Sequence, residues 1–527
     1  MDTTLLRGGM LIDGSGKDRF AADITIRGGK ICQIAPPGTL SGDRILDCAG
    51  LVVTPGFIDI HRHGDGAAFR PGYGQAELCQ GLTTVVNGNC GLSAAPFSGP
   101  YGAGIRRYLT PITGELPPQL PTDTLAHYFA ALPAAPIHQG MLIGGGTLRA
   151  GAAGYELLHL TDSHYTAIHR AMEQGLADGA LGVSLGMGYA PECFYTTEEL
   201  IRVLSPLAHT DIPLTVHMRQ EGAGVCHSIR EMLSVAEALH CPLHISHLKA
   251  MGRSNWGTKI PEALGLLEQA KQRGLDVSCD VYPYTAGSTQ LLHILPPDFL
   301  EGGMDKTLLR LQDPAARREL AARIRSGDGF DNIAGLAGWD GIYLTSLGLP
   351  AHQRYQGKNL AEIAEEMGLP PLEACCDLLV QERGQITMID FMASEDDITA
   401  ILQSELSCLI SDATYPTDGI PHPRVYGAFP RLIQRFVREK GALTLEQAVA
   451  KMTDAPAQAL RLRGKGRIAP GMDADLCIFA PEQIRETGSY TDPCRLAEGL
   501  AYVLVAGEIA LSGGKTTGTQ AGTILKR

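Results

Sequence analysis

No apolar run in this chain approaches the roughly 20 residues that a membrane-spanning helix needs, and no block of Lys and Arg offers a footprint for phosphate. With a formal net charge of -13, neither a membrane nor a nucleic acid is an expected partner. The opening Met1-Asp2-Thr3-Thr4 lacks the basic and apolar regions of a secretory signal. A disulfide framework is also missing. Thirteen cysteines are thinly spread, only Cys375 and Cys376 are adjacent, and the expectation is mostly reduced, buried thiols in a cytoplasmic protein. Internal repeats and low-complexity tracts are absent too. What is present is a globular composition, 44% apolar and 19% charged, over 527 residues. That length admits a large barrel with an accessory domain.

The chain changes texture twice. Residues 1–54 read as short strands and turns: Thr3 to Leu11, Ala22 to Arg27 and Lys30 to Ile34 are β-rich, with Gly28-Gly29 as a hairpin turn. The same texture returns over residues 464–527, so both ends are expected to build one small β-domain. Between them, eight short apolar runs recur: Gly56–Ile60, Leu82–Val86, Met141–Ile143, Leu181–Leu185, Leu214–Val216, Leu243–Ile245, Leu275–Val281 and Leu406–Ile410. Helix-like patterns separate most of them, two opening on capping boxes at Thr196 and Thr444. Eight strands alternating with helices predict an α/β fold, a parallel (β/α)8 TIM-like barrel over residues 55–463. From about Ser288 to Pro350 no clean strand is visible. The segment reads as an insertion at one strand–helix junction, either a lid or a surface elaboration.

Active sites of such barrels sit at the C-terminal ends of the strands. The first run ends in His61-Arg62-His63. Residues i and i+2 of a strand share a face, so both imidazoles can address one metal ion. The second run leads to Cys90, the fifth to His217, the sixth to His247 and the eighth to Asp412. Alone, each has a plain reading: a hydrogen-bonded core histidine, an inert thiol, a helix cap. Five strands delivering three kinds of metal ligand to one barrel face point instead to a metal centre.

The motifs carrying these residues resemble the amidohydrolase superfamily, and within it the N-acyl-D-amino-acid deacylases (D-aminoacylases). The resemblance spans nearly the whole chain. It rests on Pro55–His63, on Gly81–Gly91 with its Gly88-Asn89-Cys90-Gly91, on His217–Gly222 and on Ile245–Gly252. Asp280–Ser288, His422–Pro430 and Gly466–Leu476 extend it, the last looking like a return to the superfamily's β-sandwich. Many relatives that open cyclic amides bridge two metals with a carbamylated lysine, yet the fourth run, Gly182-Val183-Ser184-Leu185-Gly186, holds none. In the deacylases a cysteine thiolate fills that role.

The resemblance implies a zinc-dependent hydrolase that cleaves the linear amide of N-acyl-D-amino acids. Cys90, His217 and His247 would hold a tight Zn2+, and His61 and His63, with Cys90, a second and weaker position. Asp412 would be the general base and acid. The substrate's carboxylate would be held by Arg424, suited to two parallel hydrogen bonds, together with Lys249, Tyr282 and Ser288. Tyr284 shares a face with Tyr282 and is its rival, as Asp418 is to Asp412. Arg62 stands where relatives carry a small residue and is expected to be structural. An acidic substrate would need a further cation, for which Arg62, Arg219 and Arg253 are candidates. Met251 and Trp256 are candidates for an apolar pocket wall. The remaining readings are a cyclic amidase of the hydantoinase or dihydroorotase type, an N-acyl-D-peptide deacylase and a non-catalytic scaffold. The side chain accepted and any homo-oligomer stay open.

Overall fold

The computed structural model describes residues 2–156 and 159–527. The eight apolar runs all fall on barrel staves. In chain order these are Phe57–Asp59, Leu82–Asn87, His138–Met141 running on into Ile143–Gly144, Val183–Gly186, Leu214–His217, Leu243–Ile245, Val277–Val281 and Ser407–Leu409. All neighbouring staves pair in parallel. The third stave uses its first half against the second and its second half against the fourth. The circle closes just beyond the strand ends, where Asp412 N–H donates to the His61 carbonyl and His63 N–H to the Ala413 carbonyl, both at 2.9 Å. The staves are buried on both faces, which is why they read as unbroken apolar runs rather than alternating ones. Helices with an apolar stripe cover the outside, and the capping boxes at Thr196 and Thr444 open two of them.

Both chain ends contribute to one mixed sheet of nine strands. Thr4–Leu11, Phe20–Arg27, Lys30–Ala35, Arg44–Asp47 and Val52–Pro55 come from the start. Leu476–Phe479, Leu500–Val505, Glu508–Ser512 and Lys515–Thr516 come from the end. The seam is antiparallel, Val52–Pro55 against Leu476–Phe479. Leu6, Ile24, Val53, Ile478 and Leu504 belong to a separate core that this sheet encloses. The chain crosses into the barrel at Gly56, whose N–H donates to the Asp475 carbonyl at 2.7 Å.

The insertion differs from its expectation. It contains strands, and it extends past Pro350. Ala286–Gln290, Ile342–Ser346 and Thr387–Phe391 form an antiparallel sheet with Thr387–Phe391 in the middle. Helices including Gly303–Gln312, Leu360–Met367 and Pro371–Gln381 pack on it around their own apolar core. Ala-Gly-Ser-Thr-Gln carries little apolar signal, and its partners lie far along the chain, so local pattern does not reveal the pairing. The insertion leaves the barrel between staves seven and eight and walls one side of the cavity at the strand ends.

At the seam, Asp475 is buried and accepts hydrogen bonds from His138 Nε2 at 3.1 Å, Lys465 Nζ at 2.5 Å and the Ala506 N–H at 2.8 Å. Burial pushes its carboxyl up, but His138 and Lys465 outweigh that and hold it below the ordinary carboxylate range. A carboxyl depressed in the folded state adds stability at neutral pH, which is lost as pH falls through the unfolded value of about 3.9 towards the folded one. Asp475→Ala is therefore expected to cost about 3 kcal/mol in denaturant unfolding at pH 7, with the gap to wild type narrowing between about pH 5 and pH 3. A gap independent of pH would contradict the assignment.

Candidate metal centre and the cavity above it

His61, His63, Cys90, His217, His247 and Asp412 meet at the C-terminal end of the barrel, all buried. The centre of the group is Cys90 Sγ, 3.2 Å from His61 Nε2 and 3.4 Å from His247 Nε2. His217 Nδ1 lies 2.9 Å from His247 Nε2. His63 Nε2 lies 3.2 Å, and His61 Nε2 3.5 Å, from Asp412 Oδ1. Three overlapping sets have all their donor atoms within 4.8 Å of one another: His61 with Cys90 and His247, His61 with His63 and Asp412, and His217 with Glu221 and His247.

The donor chemistry fits zinc. Zn–N and Zn–S bonds at tetrahedral angles place ligand atoms about 3.3–3.6 Å apart, close to the two separations at Cys90. Both flanking imidazoles turn Nε2 to the sulfur. His61 Nδ1 faces Asp280 Oδ2 at 3.3 Å, whereas His247 Nδ1 has two close neighbours, Lys249 Nζ at 2.8 Å in a hydrogen bond and Glu221 Oε1 at 2.9 Å as an ion pair. At His61 the carboxylate on Nδ1 fixes the tautomer and turns the Nε2 lone pair towards the sulfur, the usual arrangement behind a metal-binding histidine. Burial pushes the Cys90 thiol up, yet His61 and His247 outweigh it and hold it well below its ordinary value. Burial pushes His61 down, and the charges of Cys90 and Asp280 reverse that. Thiolate and imidazole are thus set to exchange protons for a cation.

The backbone holds these groups at a price. Cys90, His247 and Asp412 all lie in the left-handed region, at φ 53°, 35° and 52°, a conformation that disfavours side chains by about 1–2 kcal/mol each. The Cys90 loop is pinned by Ser184, whose Oγ donates to the Gly88 carbonyl at 2.6 Å and accepts from Gly91 N–H at 3.1 Å. Gly88 has φ 78°, and a Cβ there would run into the Leu142 carbonyl. Ser184 is on the lysine-free fourth stave, so that stave anchors the loop that presents the sulfur. The His247 N–H donates to Asp280 Oδ1, and the same carboxylate accepts from His244 Nε2 at 2.8 Å.

Glu221 and Asp280 are not singled out by reading the sequence. Each left a signal, Asp280 as a charge inside an apolar run and Glu221 four residues after His217. Burial pushes the Glu221 carboxyl up, but Lys249 and the two histidines hold it well below its ordinary range.

Lys249, Tyr282 and Ser288 line the cavity over the cluster. Lys249 Nζ donates to Glu221 Oε1 at 2.7 Å. Arg424 sits behind that wall, with its guanidinium over the Tyr282 ring at 4.9 Å and Nη2 donating to the Ser288 carbonyl at 3.2 Å. Its Nη1 is 2.9 Å from Asp412 Oδ2, an ion pair without hydrogen-bond alignment, and Nε and Nη1 have no hydrogen-bond partner. Burial pushes Asp412 up, but Arg424 and His63 hold it well below the carboxylate range.

The rival residues separate. Tyr284 turns away to Glu486 at 2.6 Å, and Asp418 is exposed. Arg62 is buried against Glu77 at 2.7 Å and Asp59 at 3.4 Å. Arg219 is spent on Glu231 at 2.8 Å and on two carbonyls, and Arg253 is exposed. Met251 lines the cavity. Trp256 instead donates to the Met392 carbonyl at 3.1 Å.

A model of the amidohydrolase family matches residues 44–511. A D-aminoacylase from Alcaligenes xylosoxydans xylosoxydans is 34% identical over 99% of this chain and 97% of its own. Two solved structures cover 99% of both chains. One is a D-aminoacylase with a binuclear metal centre, 31% identical with a TM-score of 0.83. The other is an N-acyl-D-glutamate deacylase from Bordetella bronchiseptica, 30% identical with a TM-score of 0.84, complexed with zinc and a phosphonate mimic of the tetrahedral intermediate.

If Asp280 orients His61 and the His247 backbone for a cation, Asp280→Asn is expected to weaken zinc binding about 10–100-fold in a chelator competition. Unaltered affinity in a folded variant would remove Asp280 from that role.

Proposed function

The chain belongs to the amidohydrolase family, and on that premise we propose that it is a zinc-dependent deacylase hydrolysing the linear amide of N-acyl-D-amino acids to a carboxylate and a free D-amino acid. The observation that carries this reading is Cys90 Sγ between His61 Nε2 and His247 Nε2, with Ser184 rather than a lysine facing that loop from the fourth stave. A thiolate supplies the single negative charge that a carbamylated lysine supplies elsewhere, which weighs against a cyclic amidase. The names of the similar proteins support both the D preference and the linear amide. We place the enzyme in the cytoplasm, where such a thiol stays reduced.

Cys90, His217 and His247 would hold the tight zinc, and His61 and His63, with Cys90, a weaker position. When bound, zinc supplies Lewis acidity, polarising a carbonyl and acidifying water. Asp412 removes a proton from the attacking water as its oxygen bonds to the acyl carbon. It returns that proton to the amine nitrogen as the C–N bond breaks. His63 and Arg424 keep Asp412 ionised and aimed. Lys249, Tyr282, Ser288 and Arg424 hold the substrate's carboxylate. The guanidinium nitrogens of Arg424 that lack hydrogen-bond partners are donors in want of such an acceptor.

Amine release from paired N-acetyl-D- and N-acetyl-L-amino acids tests the reading, with D-selective release expected from zinc-loaded enzyme. Asp412→Asn is expected to retain zinc and lose roughly 10²–10⁴-fold in kcat; near-normal turnover would sink its role. Arg424→Ala is expected to raise KM about tenfold or more, the loss expected with a charge-assisted hydrogen bond, and an unchanged KM would take it out of the clamp.

A further inference from the structure

Asp390 is 1% exposed, and neither of its carboxylate oxygens has a hydrogen-bond partner. Buried carboxylates without partners are costly and uncommon, and one that faces a cavity calls for a ligand. Asp390 stands on the middle strand of the inserted sheet, directly across from Gly287. A Cβ on Gly287 would lie 2.9 Å from Asp390 Oδ1 and 3.4 Å from Tyr282 Oη. Asp390 Oδ1 and Tyr282 Oη thus meet beside Gly287 together with the Met392 methyl, which lies 2.5 Å from that same position. Asp390 lines the cavity over the metal ligands together with Met251, Ile333 and Met392.

The cations nearby are already committed. Lys249 is bound to Glu221 and Arg424 faces Asp412, and the donors they have left go to the substrate's α-carboxylate in the reading above. Asp390 is a third carboxylate beside these two pairs. Burial pushes its carboxyl up to about 6 against the pull of Lys249 and Arg424, so it is mostly ionised at neutral pH. A carboxylate side chain on the substrate would meet this charge without a compensating cation. A side chain with an apolar stem could lie along Met251, Ile333 and Met392 and end on Asp390 with a donor.

We propose that Asp390 reads the substrate's side chain, accepting a hydrogen bond from one that ends in a donor, ammonium or amide, and turning away one that ends in a carboxylate. This rests on the deacylase reading above, and it names the substrate class within it.

The test is kcat/KM for the N-acetyl derivatives of D-lysine, D-glutamine, D-methionine and D-glutamate, on zinc-loaded wild type, Asp390→Asn and Asp390→Leu, with zinc content measured alongside. Wild type is expected to favour D-lysine or D-glutamine over D-glutamate by about hundredfold or more, and over D-methionine as well, because a site built to receive a donor leaves its own group unpaired otherwise. Which of the two is preferred tells ammonium from amide. Asp390→Leu is expected to shift the ratio towards D-methionine by about tenfold or more at unchanged zinc content. Should the leucine variant fail to fold, the near-isosteric Asp390→Asn carries the test, through a shift of at least about tenfold in the D-lysine to D-glutamate ratio. A wild type that prefers D-glutamate or D-methionine, or folded variants with unaltered ratios, overturns the proposal and leaves the deacylase reading standing. No release from any D-substrate overturns both.

Discussion

The site depends on one sulfur atom held between two imidazole nitrogens. Cys90 Sγ has His61 Nε2 on one side and His247 Nε2 on the other; a buried carboxylate, Asp280, stands on the far nitrogen of the first, and the Lys249–Glu221 ion pair on that of the second. Charge alternates from carboxylate to imidazole to thiolate. In a buried setting such an arrangement stands only if every member is paired. This chain of charges also selects the ligand. A soft anion flanked by neutral nitrogen donors is what a zinc ion takes.

The barrel makes the convergence affordable. Its staves end together, so residues from the first, fifth, sixth and eighth, with the loop after the second, arrive within a few ångströms of one another without any long excursion of the chain. Cys90, His247 and Asp412 each turn in the left-handed region just past the strand end. Those turns are held by the Ser184 hydroxyl donating to the Gly88 carbonyl, the His247 N–H donating to Asp280 and the Asp412 N–H donating to the His61 carbonyl. Three of the eight non-glycine residues with positive φ among the described residues are thus ones proposed to do chemistry, and the rigid strands hold them there. The inserted sheet completes the opposite wall, bringing Ser288 and Asp390 over the cluster from a part of the chain that contributes nothing to the barrel.

Much of this was legible in the sequence because it is local. Eight apolar runs are eight buried staves, and the cluster comes from residues within a few positions of the ends of the first, second, fifth, sixth and eighth. His61 and His63 announce themselves by their i, i+2 spacing. What was not legible is relational. Glu221 and Asp280 matter through the imidazoles they face, and those imidazoles come from other strands. The inserted strands are short, and Ala286–Gln290 is weakly apolar; they pair over distances of about forty to a hundred residues that no local period encodes. Arg424 reads as a free cation, and only the structure shows it facing Asp412.

The central claim is that Cys90 is a metal ligand, and zinc K-edge X-ray absorption on the loaded protein addresses it without depending on activity. The account predicts one sulfur scatterer at about 2.3 Å among nitrogen and oxygen neighbours at about 2.0–2.1 Å, with the sulfur lost in Cys90→Ala. A first shell of nitrogen and oxygen alone in the wild type would contradict it.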